Sequence, residues 1–143
     1  MIKVAICDDD IQFIYKLEQS IFRFAEMKRI KVDVDGYTSG AEFIQKLQQS
    51  ERYDLLFLDI ELGDSSGIIV GNWIRSQIQY ESMQIVFVSA KEMYAMQLFD
   101  LRPMNFLVKP IQQERVDYIL DEYERLYQFQ PHIIEIGKGR NSI

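Results

Sequence analysis

The chain has 143 residues, nearly half of them apolar, which suits one domain built on one core without disulfides or a structural metal. Its net charge of −6 argues against direct grip on a phosphate backbone. No apolar stretch approaches the ~20 residues of a membrane span, and no signal-peptide pattern precedes the first strand-like run. The single Cys7 excludes an internal disulfide and reads as a reduced, buried thiol of a cytoplasmic protein.

In chain order, five short apolar runs read as buried strands: Ile2 to Cys7, Lys31 to Tyr37, Asp54 to Leu58, Gln84 to Val88 and Asn105 to Val108. Helical periodicity fills the gaps. The first helical segment repeats Ile14, Leu17, Ile21 and Ala25. Ser39 and Glu42 make a capping-box pattern ahead of Phe43, Ile44 and Leu47 in the second. The third carries Ile69, Trp73, Ile74 and Ile78. A fourth, about Lys91 to Asp100, is apolar on several sides through Met93, Tyr94, Met96, Leu98 and Phe99. The fifth shows Val116, Ile119, Leu120, Tyr123, Leu126 and Tyr127.

Five strand–helix alternations predict right-handed crossovers and a parallel sheet covered on both faces. The fold class is α/β, a flavodoxin-like (βα)5 doubly wound sheet in the order 2-1-3-4-5. Pro131 ends the fifth helix. His132 to Ile136 then reads as a new strand followed by the turn-like Gly137-Lys138-Gly139, or as a disordered or hairpin tail. His132 has no metal-ligand company in the sequence and is read as inert.

In an open parallel sheet, chemistry gathers at the carboxyl ends of strands where the strand order reverses. Strand 1 ends in Asp8, Asp9 and Asp10, strand 3 in Asp59, strand 4 in Ser89, and strand 5 in Lys109-Pro110. Crowded carboxylates repel, and a hard divalent cation such as Mg²⁺ relieves that repulsion. A carboxylate can also attack phosphorus and form an acyl phosphate. The cation, the Lys109 ammonium and the Ser89 hydroxyl could then each meet one phosphoryl oxygen. Plainer readings stand beside these: Asp8 to Asp10 as a helix cap, Asp59 as a turn residue, Ser89 with Glu92 as a capping box, and Phe106 as ordinary core.

The motifs ICDDD at 6–10, LLFLDIEL at 55–62, FVSA at 87–90 and FLVKP at 106–110, with Gly67 eight residues past Asp59, resemble response-regulator receiver domains over about residues 1–130. The resemblance implies Asp59 as phosphoacceptor, with Asp9 as a direct Mg²⁺ ligand. Asp8 would act through a metal-bound water, and the Glu61 backbone carbonyl would complete the protein ligands. Ser89 and Lys109 would contact the phosphoryl group, the Lys-Pro peptide would be cis, and Phe106 would be the switch aromatic. Leu62-Gly63 stand where many receivers carry Met-Pro, a departure that bears on phosphoryl lifetime. Ser89 replaces the commoner threonine and keeps the hydroxyl.

Cys7-Asp8 and the ending HIIEIGKGR resemble receivers joined to a LytTR-type DNA-binding domain. By that resemblance residues 131–143 are a linker and the start of the second domain. The partners implied are a sensor histidine kinase, a second copy through the face of helix 4, strand 5 and helix 5, and DNA through the C-terminal domain. No membrane partner is expected. The alternative function is a haloacid-dehalogenase-like phosphatase using Asp8 and Asp10. It lacks the acid pair expected after Lys109 and leaves Asp59 without a task. A flavodoxin-type FMN carrier would need a Ser/Thr/Gly-rich loop where the three aspartates stand.

Overall fold

Strands whose successive residues are all apolar have no water-facing side, so they need cover above and below. The computed structural model, which describes residues 1–128, meets that need with a five-stranded parallel sheet in the order β2-β1-β3-β4-β5. The strands are β1 (Ile2–Cys7), β2 (Val32–Tyr37), β3 (Leu55–Asp59), β4 (Gln84–Ser89) and β5 (Asn105–Val108). The helices are α1 (Ile11–Lys28), α2 (Gly40–Gln48), α3 (Gly67–Arg75) and α4 (Gln113–Tyr123). The expected strand at His132 to Ile136 and the 131–143 linker lie outside the described residues.

Alternate residues of one strand serve opposite faces. Val4 and Ile6 join Ile14, Leu17, Ile21, Phe57, Val86, Val116, Ile119 and Leu120 beneath α1 and α4. Ala5 and Cys7 join Phe43, Leu47, Leu56, Leu58, Val70, Ile74, Phe87 and Leu98 on the other face. Burial of one such Leu or Phe side chain stabilises the fold by about 1.5–3 kcal/mol. On this second face Trp73 lies against Tyr80, their ring centroids 5.7 Å apart, and Arg52 covers the Tyr80 ring at 4.8 Å. Nearby, Tyr53 donates to Asp35 Oδ2 at 2.6 Å and shares a hydrogen bond with Tyr37. This network ties the edge strand β2 to the loop before β3.

Two helical expectations change. In α3 the buried side is Gly67, Val70, Gly71 and Ile74, whereas Ile69 and Ile78 are exposed. Two glycines set that stripe: a Cβ on Gly71 would meet Phe87 Cζ at 2.9 Å, so the helix rides close to the sheet. Ile78 falls beyond α3, in a 3-10 turn over Ile78–Tyr80.

The fourth helical segment is a 3-10 helix, Glu92–Leu101, rather than an α-helix. Its N-cap, Lys91, makes no side-chain cap bond. Leu98 and Leu101 are buried while Met96 and Phe99 are 86% and 81% exposed. Leu98 and Leu101, three residues apart, fit the three-residue period of a 3-10 helix. At its far end Arg75 gathers the chain. Its guanidinium donates to the carbonyls of Leu101 and Met83 at 2.8 Å, and to Glu81 and Arg102 at 3.4 Å.

Candidate functional site

The carboxyl ends of β1, β3, β4 and β5 bring Asp8, Asp9, Asp59, Ser89 and Lys109 to one edge of the sheet. Asp59 is the last residue of β3 and is buried, as are Asp8 and Ser89. Asp9 is exposed. Carboxylate oxygens of Asp8, Asp9 and Asp59 lie within 4.8 Å of one another. Three acids at that spacing, two of them buried, form an all-oxygen donor set suited to a hard divalent cation such as Mg²⁺. The Glu61 side chain is directed to Ser89, and its backbone stands in an isolated bridge to Ser66.

The Lys109 ammonium is the cation at this cluster. Its Nζ is 2.9 Å from Asp8 Oδ2 and 3.7 Å from Asp59 Oδ2. Lys109 N donates to Ser89 O at 2.8 Å, which anchors the lysine backbone beside the end of β4. The Lys109-Pro110 peptide is cis, as the resemblance implied. Burial lowers the Lys109 pKa, but the hydrogen bond to Asp8 and the charges of Asp59 and Asp8 outweigh it and leave a net rise. Burial pushes Asp59 up to about 6, and the Asp8 charge adds to the rise. Lys109, and the Glu61 N–H that Asp59 Oδ1 accepts at 3.3 Å, act against it.

Asp10 stands apart. Its Oδ1 accepts from Gln12 N at 3.0 Å and Phe13 N at 3.3 Å, so it is the N-cap of α1. The Asp8/Asp10 pair of the phosphatase alternative is therefore divided between the cluster and a helix end. Asp8 in turn holds the turn after β1, its Oδ1 accepting from Asp10 N at 2.8 Å.

The capping box that was the plainer reading of Ser89 and Glu92 does not form. Ser89 Oγ accepts from Lys91 N at 2.9 Å, two residues on, and donates to the Glu61 carboxylate at 3.2 and 3.3 Å. Lys91 Nζ stands 4.0 Å from that carboxylate. The box at Ser39 shows its forward half, with Ser39 Oγ accepting from Glu42 N at 3.1 Å. Phe106 is partly buried, is in register with Phe87, and packs on the α3 face of the sheet.

Gly67 has a steric duty: a Cβ there would lie 2.1 Å from the Asp59 carbonyl oxygen. Its N–H donates to Ile60 O at 2.7 Å, which folds the loop after β3 back over the strand end. In that loop a Cβ on Gly63 would come within 3.2 Å of Asp9 Oδ2. Asp64 then accepts from Gly40 N and Ala41 N at 3.2 Å, capping α2 from a distance. Sequence reasoning missed Asp64, the Glu61 side chain and Phe13, whose ring centroid is 4.3 Å from Lys109 Nζ. An aspartate in a loop and an aromatic in a first helical turn signal local caps and core, and their real partners are remote in sequence.

The comparisons with known proteins agree with this arrangement. The family described as "Response regulator receiver domain" matches residues 4–121. The "Sensory transduction protein LytT" of Bacillus cereus is 30% identical over 131 residues, covering 91% of this chain and 50% of that protein. The "Sensory transduction protein LytR" of Streptococcus agalactiae is 30% identical over 126 residues, covering 88% of this chain and 49% of that protein. The chain thus spans about half the length of these curated relatives. Among solved structures, the response regulator protein TrrA of Thermotoga maritima, solved in complex with Mg(2+)-BeF, superposes with a TM-score of 0.69 at 23% identity, covering 85% of this chain and 98% of that one. At that identity the likeness concerns the fold. A family match over 4–121, the sheet order and the strand-end cluster converge: the chain belongs to the response regulator receiver domain family of two-component systems.

Proposed function

We propose that this chain is a phosphoacceptor switch in which Asp59 takes a phosphoryl group from a sensor histidine kinase. The observation that carries the reading is the placement of Asp59: buried at the end of the central strand β3, beside Asp8 and Asp9, with the Lys109 ammonium 3.7 Å from its Oδ2. An Asp59 oxygen would attack phosphorus, forming an O–P bond as the bond from phosphorus to the donor's imidazole nitrogen breaks. Lys109 would neutralise one phosphoryl oxygen and Ser89 would hydrogen-bond another, once its hydroxyl leaves Glu61. Mg²⁺ would be held by Asp9, Asp59 and the Glu61 carbonyl, with Asp8 through water; when bound it supplies charge neutralisation to the transferring group.

Phosphorylation would bias an existing two-state equilibrium. Phe106 would read the movement of Ser89 and remodel the face of the 3-10 segment, β5 and α4, where Met96, Phe99 and Val108 are exposed. That face would pair two copies in the longer protein. Residues 131–143 would be the linker and first residues of a LytTR-type output domain that binds DNA, the whole acting in the cytoplasm. The half-length match to LytT and LytR supports an output domain beyond this segment. Among the described residues no helix is long and apolar enough to cross a membrane.

The test is intact mass after incubation with Mg²⁺ and acetyl phosphate. One acid-labile phosphoryl adduct is expected, absent in Asp59→Asn and retained in Asp10→Asn. An adduct that persists in Asp59→Asn would overturn the assignment.

A further inference from the structure

Lys109 can serve a phosphoryl group only if its flexible four-carbon stem is kept pointing at Asp59. Two carboxylates attract its ammonium. Nζ also lies over the Phe13 ring, 4.3 Å from its centroid and inside the range of a cation–π contact. The backbones that carry ring and ammonium are each anchored. Phe13 N donates to the Asp10 cap at 3.3 Å, and Lys109 N donates to Ser89 O at 2.8 Å. Phe13 also packs on the α1 and α4 core, which limits its own movement.

Beside this pair lies a cavity of about 410 Å³, lined by Phe13, Lys109, Lys16, Leu17, Ile111 and others. It offers the lysine stem somewhere else to go. The Phe13 ring is thus one wall of the space into which Lys109 would otherwise swing.

We propose that Phe13 is a positioning residue for phosphoryl uptake: its ring face holds the Lys109 ammonium at the carboxylate cluster and out of the neighbouring cavity. The inference rests on the phosphoacceptor reading of Asp59. Three links connect sequence to site. Asp10 caps α1, the cap sets the Phe13 backbone, and the Phe13 ring sets Lys109. The third acid of the ICDDD motif therefore serves the site without touching it. Preorganising a charged side chain removes an ordering cost from binding, so the effect belongs in affinity for a phosphoryl analogue.

The test uses the whole chain as wild type, Phe13→Leu, Phe13→Met and Phe13→Tyr, each checked for an intact amide spectrum. Beryllofluoride with Mg²⁺ is the probe, titrated by calorimetry. Loss of the ring should weaken binding about three- to tenfold in both Leu and Met, and Tyr should restore it. A second readout needs no ligand: the Lys109 ε-methylene protons should be shifted upfield by the ring in wild type and Tyr, and should lose that shift in Leu and Met. Wild-type affinity in both Leu and Met, or a Tyr variant as weak as Leu, would overturn the proposal. If wild type itself binds no beryllofluoride, the phosphoacceptor reading fails instead, and the Lys109 shift still decides whether the ring holds the lysine.

Discussion

Ser89 Oγ donates its hydrogen to the Glu61 carboxylate, 3.2 Å from Oε1 and 3.3 Å from Oε2, so the hydroxyl assigned to a phosphoryl oxygen already has an anionic partner. Under the proposed function, a phosphoryl group on Asp59 would have to displace that carboxylate, which it would also repel. Glu61→Ala is expected to tighten beryllofluoride binding about three- to tenfold, the scale of one charged hydrogen bond discounted for partial exposure. Ser89→Ala should weaken it by a similar factor. Calorimetric titration with Mg²⁺ present checks both, and a Glu61→Ala chain no tighter than wild type refutes the competition.

Asp59 predicts a pH signature. Its pKa is raised by burial from 3.8 to about 6, so the folded chain holds that proton more tightly than the unfolded chain does. Protons bound in excess by the folded state mean that stability falls as pH rises between the two values. The penalty is absent below pH 4 and complete above about pH 6. At 1.36 kcal/mol per unit it reaches about 2–3 kcal/mol. Asp59→Asn should therefore stabilise the metal-free chain by about that much at neutral pH, the gain vanishing toward pH 4. Urea unfolding with a chelator, at several pH values, is the measurement.

Gly67 accepts no side chain. A Cβ 2.1 Å from the Asp59 carbonyl oxygen forces backbone to move, because neither partner is a flexible side-chain end. Gly67→Ala should cost about 2–4 kcal/mol in urea unfolding and shift the amide signals of Asp59 and Ile60. A change below about 0.5 kcal/mol would show that the loop has another route.

Arg75 should matter to the 3-10 segment more than to the cluster. Arg75→Met keeps much of the aliphatic stem but removes the donors to four carbonyls, two of them at 2.8 Å. About 2–3 kcal/mol of stability should be lost, with hydrogen exchange rising first over residues 96–102. Uniform loss of protection across the sheet would contradict this local role.

What the sequence disclosed depended on how far each residue's partners lie. Strands buried on both faces are continuous apolar runs, so β1, β3 and β4 could be read to within a residue or so at their ends, and the edge strands β2 and β5, which are only partly buried, still carried enough apolar residues to be placed as closely. Strand-end polar residues follow from topology, so Asp8, Asp9, Asp59, Ser89 and Lys109 could be gathered before any distance was known. The 3-10 segment could not be foreseen. Its many apolar residues match an α-helix in composition, whereas the structure winds them at three residues per turn, with Leu98 and Leu101 set into the core and Met96 and Phe99 exposed. Ser89 resembled a local cap, and its hydroxyl, besides accepting from Lys91 N, bonds across 28 residues to Glu61. Arg75 looked like an ordinary last-turn cation, because carbonyl acceptors 6 to 27 residues away leave no mark on side-chain patterns.

The Trp73–Tyr80 stack gives this chain a built-in optical probe. Trp73 is the single tryptophan, so excitation at the red edge of the aromatic band selects one emitter of known address. It packs with the same apolar layer as Phe106. A side chain that turned inward within that layer would alter the indole's surroundings without touching it. Fluorescence of the unlabelled chain, followed in a stopped-flow mixer, can thus time events in the core against the phosphoryl transfer proposed for Asp59.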